Sequence, residues 1–203
     1  RELPAGEQGN LAIRLPLPPG CLTTLWQDEA RFRQSYLERF PGYYDTSDAG
    51  YIDEDGYVFV MGRVDDVINV AGHRLATGEM EEVIGHHSAV AECAVVGIQD
   101  EYKGELPAAF VVLKDGVEPS AEHIEEELAQ MIRNEIGAIA ALRRVAVVDK
   151  LPKTRSGKIL RKSIRTLAGQ AREQLATPST IDDPTSLDEI DKAMQAYGLR
   201  YQP

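Results

Sequence analysis

The sequence predicts an α+β fold in two parts: the β-rich end of a larger domain, followed by a small split β-α-β domain. Three observations predict it. Residues 1–62 are rich in β-forming residues and loops and too short of apolar positions to form a core alone. After "GRVDD", short apolar runs alternate with helix-period segments. The composition, 43% apolar and 27% charged over 203 residues, is that of an ordinary globular chain able to bury a sizeable core.

"GNLAIRLPLPPG" reads as a short strand stopped by a Pro-rich loop. "QDEARFRQSYLERF" has helical spacing at Phe32, Tyr36 and Leu37, with Asp28 and Glu29 placed early to suit the helix dipole. "PGYYDTSDAG" reads as loop. "GYIDEDGYVFVMGR" is a hairpin, two β-rich runs joined by Asp-Glu-Asp-Gly. "VDDVINV" is a short strand broken by Gly72, and "TGEMEEVIGHH" a helix with Thr77 as N-cap. "AVAECAVVGIQD" and "AAFVVLKDG" are strands. "SAEHIEEELAQMIRNEIG" is the clearest helix: Ser120 caps it, Ile124, Leu128, Ile132 and Ile136 form one stripe, and Gly137 stops it. "RVAVVD" is a further strand, and a last helix follows Gly157. The expected organisation is 1–64 as the end of a large N-terminal domain, 65–170 as a small C-terminal domain, and 171–203 as a polar tail with one short amphipathic helix on the surface.

A net charge of −11 argues against general binding to nucleic acid or an anionic membrane. No apolar run is long enough to cross a bilayer. Cys21 and Cys93 lie far apart without metal-site spacing, Cys93 reading as a buried small hydrophobe, so a reducing compartment is expected. The opening "RELPAGEQGN" has no Met and no signal-peptide pattern, which reads as a start in mid-protein.

Against this acidic background, "LPKTRSGKILRK" stands out. From Lys150 to Arg165 there are seven cations and no acid. Ser156 and Gly157 can form a turn that lets a ligand approach, and Lys158 follows it just before a helix, at a positive helix end. That arrangement suits an anion. It is not a Walker loop, because Pro152 stands where a Gly is needed and Ile159 where Ser or Thr is needed. A merely solvated basic helix start is the plain alternative. A second constellation is Asp48, whose carboxylate could accept both ribose hydroxyls, with Arg63 and Arg74, which could clamp a nucleotide's sugar and phosphate. Surface salt bridging is the alternative, worth about 0–1 kcal/mol per pair. None of the histidines 73, 86, 87 and 123 has metal-ligand spacing, and only His73, inside the glycine turn, draws a functional reading.

"YYDTSDAG…DEDGYVFVMGRVDDVINVAGHRL" together with "LPKTRSGKILR" closely resembles the C-terminal part of short-chain acyl-CoA synthetases, the acetyl- and propionyl-CoA synthetase group of adenylate-forming enzymes. The resemblance runs from about residue 9 into the tail. It implies an enzyme that joins a carboxylic acid to ATP, giving an acyl-adenylate and pyrophosphate, and then passes the acyl group to coenzyme A. ATP with Mg²⁺ and coenzyme A are substrates, and no prosthetic group is implied. By resemblance, Asp48 and Arg63 bind the ribose of ATP, and Arg74 meets its phosphates. Asp65 is a hinge, and Lys158 orients the carboxylate and α-phosphate during adenylation. Gly72 and His73 border the pantetheine channel, and Arg133 meets the nucleotide end of coenzyme A. A structural cation near His87 and Val90 is a further analogy. Lys158 is also implied as the target of a lysine acetyltransferase and deacetylase, since acetylation would remove its charge.

The chain departs from the family at Thr46-Ser47-Asp48, where Thr-Gly-Asp is usual, so the segment loses its glycine freedom. Nothing here resembles the phosphate loop, the adenine-stacking aromatic or the acyl pocket, so this chain alone is expected to be inactive. The expected location is the cytoplasm, or the mitochondrial matrix in a eukaryote. Alternatives are another acyl- or aryl-CoA ligase of the superfamily, and an RNA- or protein-binding module using the basic segment. The acidic total and the lack of aromatic residues around Lys158 disfavour the module.

Overall fold

Alternation of apolar side chains decides the larger of the two sheets of this protein. The computed structural model describes residues 1–117, 120–169 and 172–200. The chain divides into two compact units, Arg1–Asp65 and Asp66–Pro203.

The first unit holds an antiparallel three-stranded sheet in the order β1-β2-β3: β1 (Gly9–Arg14), β2 (Tyr43–Ile52) and β3 (Val58–Arg63). The turn between β2 and β3 is built by Asp53, whose Oδ1 accepts from the N–H groups of Asp55 (3.0 Å) and Tyr57 (2.8 Å). Gly56, at φ +85°, takes the left-handed conformation that this turn requires. Helix α1 (Glu29–Tyr36) is shorter than its pattern predicts: Asp28 caps its start, accepting from Arg31 N at 3.1 Å, and it ends at Tyr36 where the N–H groups of Leu37 and Glu38 both donate to the Arg33 carbonyl. The larger correction is residues 43–49. They read as loop but form most of the central strand β2, paired to β1 on one side and β3 on the other. Their Asp, Thr and Ser residues hide the strand pattern, while a double ladder satisfies their backbone groups.

The second unit is a sheet covered on both faces. Strands β4 (Val67–Val70), β5 (His73–Ala76), β6 (Val90–Asp100) and β7 (Gly104–Leu113) run in the order β5-β4-β7-β6, and β8 (Arg144–Val147) pairs parallel to β7. Both β4 and β6 are antiparallel to β7, so they are parallel to each other with β7 between them. Helix α2 (Thr77–Gly85) lies between β5 and β6 in the chain, giving the split β-α-β unit. Helix α3 (Ala121–Glu135) makes the crossover from β7 to β8. Successive strand residues point to opposite faces. Val95, Ala109, Val111 and Val145 join Met80 and Ile84 of α2 and Ile124, Leu128 and Ile132 of α3 in one core. Ala94, Val96, Phe110 and Ala146 face the other way, onto Ile164 and Leu167 of α4 (Arg161–Gly169) and Leu187, Ile190 and Met194 of α5 (Thr185–Ala196).

Three expectations need correction here. The segment 73–76 is a strand, because Ala71 (φ +49°) and Gly72 (φ +87°) turn the chain back and pair Val70 with His73. Thr77 is not a cap: it is buried inside α2, and Ala76 precedes the helix without a side-chain bond. Residues 185–199 are not a surface tail: Leu187, Ile190, Met194 and Leu199 are all fully buried, so α5 and Leu199 complete the second core. By contrast α3 is as read, with Ser120 Oγ accepting from His123 N at 3.2 Å and Gly137 at φ +115° ending it.

Candidate functional site

In the first unit the β2–β3 ladder places Asp48 directly opposite Arg63. Arg63 Nη1 stands 3.6 Å from Asp48 Oδ1 and donates to the Thr46 carbonyl at 3.1 Å, while its Nε stands 3.6 Å from Asp65 Oδ1. These three residues of the sequence reading therefore share one corner of the sheet. Asp48 sits on a strand rather than in a loop. Just before it, Ser47 takes φ +60°, the left-handed conformation that glycine adopts without penalty. The buried carboxylate of Asp45 supports that kink, accepting from Ser47 N at 2.8 Å and from Arg39 Nη1 at 3.4 Å. Thr46 Oγ1 donates to the Leu11 carbonyl and accepts from Asp48 N, which ties the acid's backbone to β1.

In the second unit the candidates lie on three separate elements. Gly72, His73 and Arg74 form the tip of the β4–β5 hairpin, all exposed, with Arg74 opposite Asn69. Arg133 is exposed in the last turn of α3. Lys158 is exposed at the corner of a small hairpin in which Lys153 and Ile159 pair. Thr154 organises this corner: its Oγ1 accepts from Lys158 N (3.1 Å), its N–H donates to the Lys158 carbonyl (2.8 Å), and its carbonyl accepts from Gly157 N (2.8 Å). Gly157 takes φ +84°, which explains the Ser-Gly before the lysine: the turn needs a residue free of the Cβ penalty. A second strand-like segment pins the hairpin, with Arg155 N donating to the Thr180 carbonyl and Asp182 N to the Lys153 carbonyl.

The seven cations of this segment do not act as one patch. Lys150 donates to Asp183 and Thr185, and Lys153 to both oxygens of Glu92 at 2.7 and 2.8 Å. Arg161 makes a two-bond pair with Glu81 of α2, at 2.8 and 2.5 Å, and Arg165 binds Asp66 at 3.0 Å. The hydrogen bond to Asp183 raises the Lys150 pKa, and that from Lys150 lowers Asp183 from 3.8 to about 2. The bond to Glu81 likewise raises the Arg161 pKa. Among the described residues, only the side chains of Arg155, Lys158 and Lys162 in this segment have no hydrogen-bond or ion-pair partner. Sequence reasoning missed Glu81, Glu92 and Asp183. Nothing local marks them, since each meets its cation across 33 to 80 residues of chain.

Cys93 is half-buried, its thiol facing the Glu81 carbonyl at 3.4 Å, and burial pushes its pKa to about 12. At the end of α2, His87 Nε2 pairs with Glu127 at 3.1 Å, its Nδ1 accepts from Ala89 N, and its carbonyl accepts from Val90 N. The proposed cation position near His87 and Val90 is thus internally bonded at that carbonyl. Among the described residues, no group of three or more His, Cys, Asp or Glu could hold a metal ion.

Residues 79–158, from α2 through β6, β7, α3 and β8 to Lys158 itself, match the AMP-binding enzyme C-terminal domain. Residues 79–158 of this chain are therefore the C-terminal domain of AMP-binding enzymes. Its relatives are more particular. Over 195 residues, 96% of this chain, it is 57% identical to an uncharacterised protein of Pseudomonas aeruginosa and 48% identical to acyl-CoA synthetase short-chain family member 3, mitochondrial, of Mus musculus. It spans 31% and 28% of those two proteins' lengths. The crystal structure of the anthranilate CoA ligase AuaEII in complex with anthranoyl-AMP superposes with a TM-score of 0.67 at 32% identity, over 81% of this chain and 30% of that one.

Proposed function

We propose that this chain is the C-terminal portion of an ATP-dependent acyl-CoA synthetase that converts a short-chain acid such as propionate or acetate, with ATP and coenzyme A, into acyl-CoA, AMP and pyrophosphate. The observation that carries the reading is the exposed, unpaired Lys158 at a pinned corner, at the end of the family match, while four neighbouring cations are held by acids. A lysine in that setting would meet the charge developing at the α-phosphorus and stabilise it electrostatically. Asp48 and Arg63 would hold the ATP ribose, and Arg74 its phosphates. Asp65, the last residue of the first unit, would be the hinge about which residues 65–170 swing. After adenylation Lys158 would withdraw, and the Gly72–His73 turn would line the pantetheine channel with Arg133 at the nucleotide end of coenzyme A. Mg²⁺ would arrive with ATP. Residues 1–64 would be the end of the N-terminal nucleotide-binding domain, without which this chain is inactive. The cytoplasm or the mitochondrial matrix would be its place, the latter being where the mouse relative's name puts that protein. Acetylation of Lys158 would cancel its charge and stop adenylation.

The test is Lys158→Ala in the full-length protein. Carboxylate-dependent exchange between pyrophosphate and ATP should fall by about 10²–10³-fold. Thioester formation from supplied acyl-adenylate should stay within about twofold, because the lysine has left that site. Normal exchange in the variant would reject the assignment. Comparing propionate, acetate and anthranilate as substrates decides the acid, the last because the aligned structure is that of an anthranilate ligase.

A further inference from the structure

A mobile domain delivers a reactive amine accurately only if the loop bearing it is rigid within the domain. The Lys158 corner is tethered on both sides. On its N-terminal side Lys153 binds Glu92 on β6 with both carboxylate oxygens. On its C-terminal side Arg161, the first residue of α4, holds Glu81 of α2 through Nε and Nη2 in a planar two-bond pair. The two tethers differ in environment. The Lys153–Glu92 pair is partly exposed, with side chains 34% and 43% accessible. Arg161 and Glu81 are 23% and 13% accessible, so their pair is shielded from water and from salt. Glu81 Oε1 also accepts from the backbone N–H of Val95 at 2.9 Å, which links α2, β6 and the start of α4 through one carboxylate.

We propose that Glu81 is a positioning residue for Lys158: by clamping Arg161 onto α2 and β6, it fixes where the amine sits when the domain presents it. This rests on the adenylation role given to Lys158 above. Neither Glu81 nor Arg161 needs to touch substrate. Loss of the Glu81 charge weakens both charge-assisted hydrogen bonds of the half-buried Arg161, with only the more distant charge of Asp66 left to it, and α4 shifts at its first turn. Displacement of a reacting group by about 1 Å costs about 10²-fold in rate. The effect belongs to adenylation alone, because that is the step Lys158 serves.

The experiment uses the full-length protein with Glu81→Gln, which keeps the size of the side chain and an acceptor for Val95 N, and with Arg161→Lys, which keeps charge but not the planar fork. For Glu81→Gln the expected result is a fall of about 10- to 100-fold in the turnover of ATP–pyrophosphate exchange. The KM for ATP and thioester formation from supplied acyl-adenylate should each stay within about twofold. Arg161→Lys should show the same selectivity with a smaller loss, and it carries the test alone if Glu81→Gln does not fold. Amide exchange should quicken at residues 154–160 and not in α5. Equal falls in both half-reactions, or unchanged exchange of pyrophosphate, would overturn the positioning role. A wild-type protein without carboxylate-dependent exchange would instead overturn the acyl-CoA synthetase reading beneath it.

Discussion

Ser47 shows how much a single backbone angle carries. Its φ of +60° lies where the resembling family uses glycine, and the kink it makes sets Asp48 against Arg63. A non-glycine residue there is strained by about 1–2 kcal/mol. The Asp45 carboxylate offsets part of this by accepting the Ser47 N–H. Ser47→Gly should therefore stabilise the protein by about 0.5–1 kcal/mol, net of the entropy glycine loses on folding, as read by urea denaturation. Cys93 makes a second residue-scale case. Its thiol pKa is raised from 9.0 to about 12, so the folded state holds a proton that the unfolded state releases first. The stability it contributes is whole below about pH 9 and is lost as pH rises toward about 12. At pH 8, a thiol reagent should titrate the exposed Cys21 at once and Cys93 only on unfolding; two fast thiols would contradict the burial.

At the scale of elements, α5 departs most from its expected place. A polar surface helix would tolerate truncation of any side chain within about 0.5 kcal/mol. Leu187 and Ile190 are fully buried against Phe110 and the inner face of α4, so Leu187→Ala or Ile190→Ala should cost about 2–5 kcal/mol. Chemical denaturation separates the two cases. The start of α5 is held by Asp183, which accepts from Thr185 N at 2.9 Å and pairs with Lys150. Because these bonds lower its pKa from 3.8 to about 2, their contribution is present above pH 3.8 and lost as pH falls toward about 2. Asp183→Asn should weaken the protein at pH 7, and the gap to wild type should close over that acid window. Helix α3 was legible because its stripe Ile124, Leu128, Ile132 repeats every turn and its cap is local. Strand β2 was not, because "YYDTSDAG" carries turn residues whose strand geometry comes from partners on both flanks. The hairpin tip at Ala71-Gly72 was read as a break for a related reason: it ends one strand, and only the pairing of His73–Ala76 with Val67–Val70 reveals the next.

For the whole molecule, the boundary between units at Asp65 and Asp66 carries the functional prediction. Asp65 lies in a 3₁₀ turn, Val64–Asp66, a conformation compatible with the φ that proline imposes. Asp65→Pro should stiffen that turn, with a local shift at Val64 and loss of the Arg63–Asp65 pair, which Asp65→Ala controls for. If one domain serves two half-reactions by swivelling there, one of them should fall at least about tenfold while the other holds. Measuring pyrophosphate exchange and thioester formation on the same preparation reads both; equal rates with wild type in each would remove the hinge role.

By itself the sequence determined the resemblance to the C-terminal domain of AMP-binding enzymes, the order of most elements, the clearest helix and the identity of the exposed lysine, because those rest on contiguous motifs and on periodicity within one segment. The tertiary structure alone decided three things: that β2 is a central strand, that α5 closes a core, and that most of the basic run is neutralised from within. Each depends on partners distant along the chain, such as Glu81 for Arg161, and pairing across such a span leaves no mark in local pattern. That is why seven cations looked like one anion site, and why folding leaves only Arg155, Lys158 and Lys162 of them without a side-chain partner among the described residues.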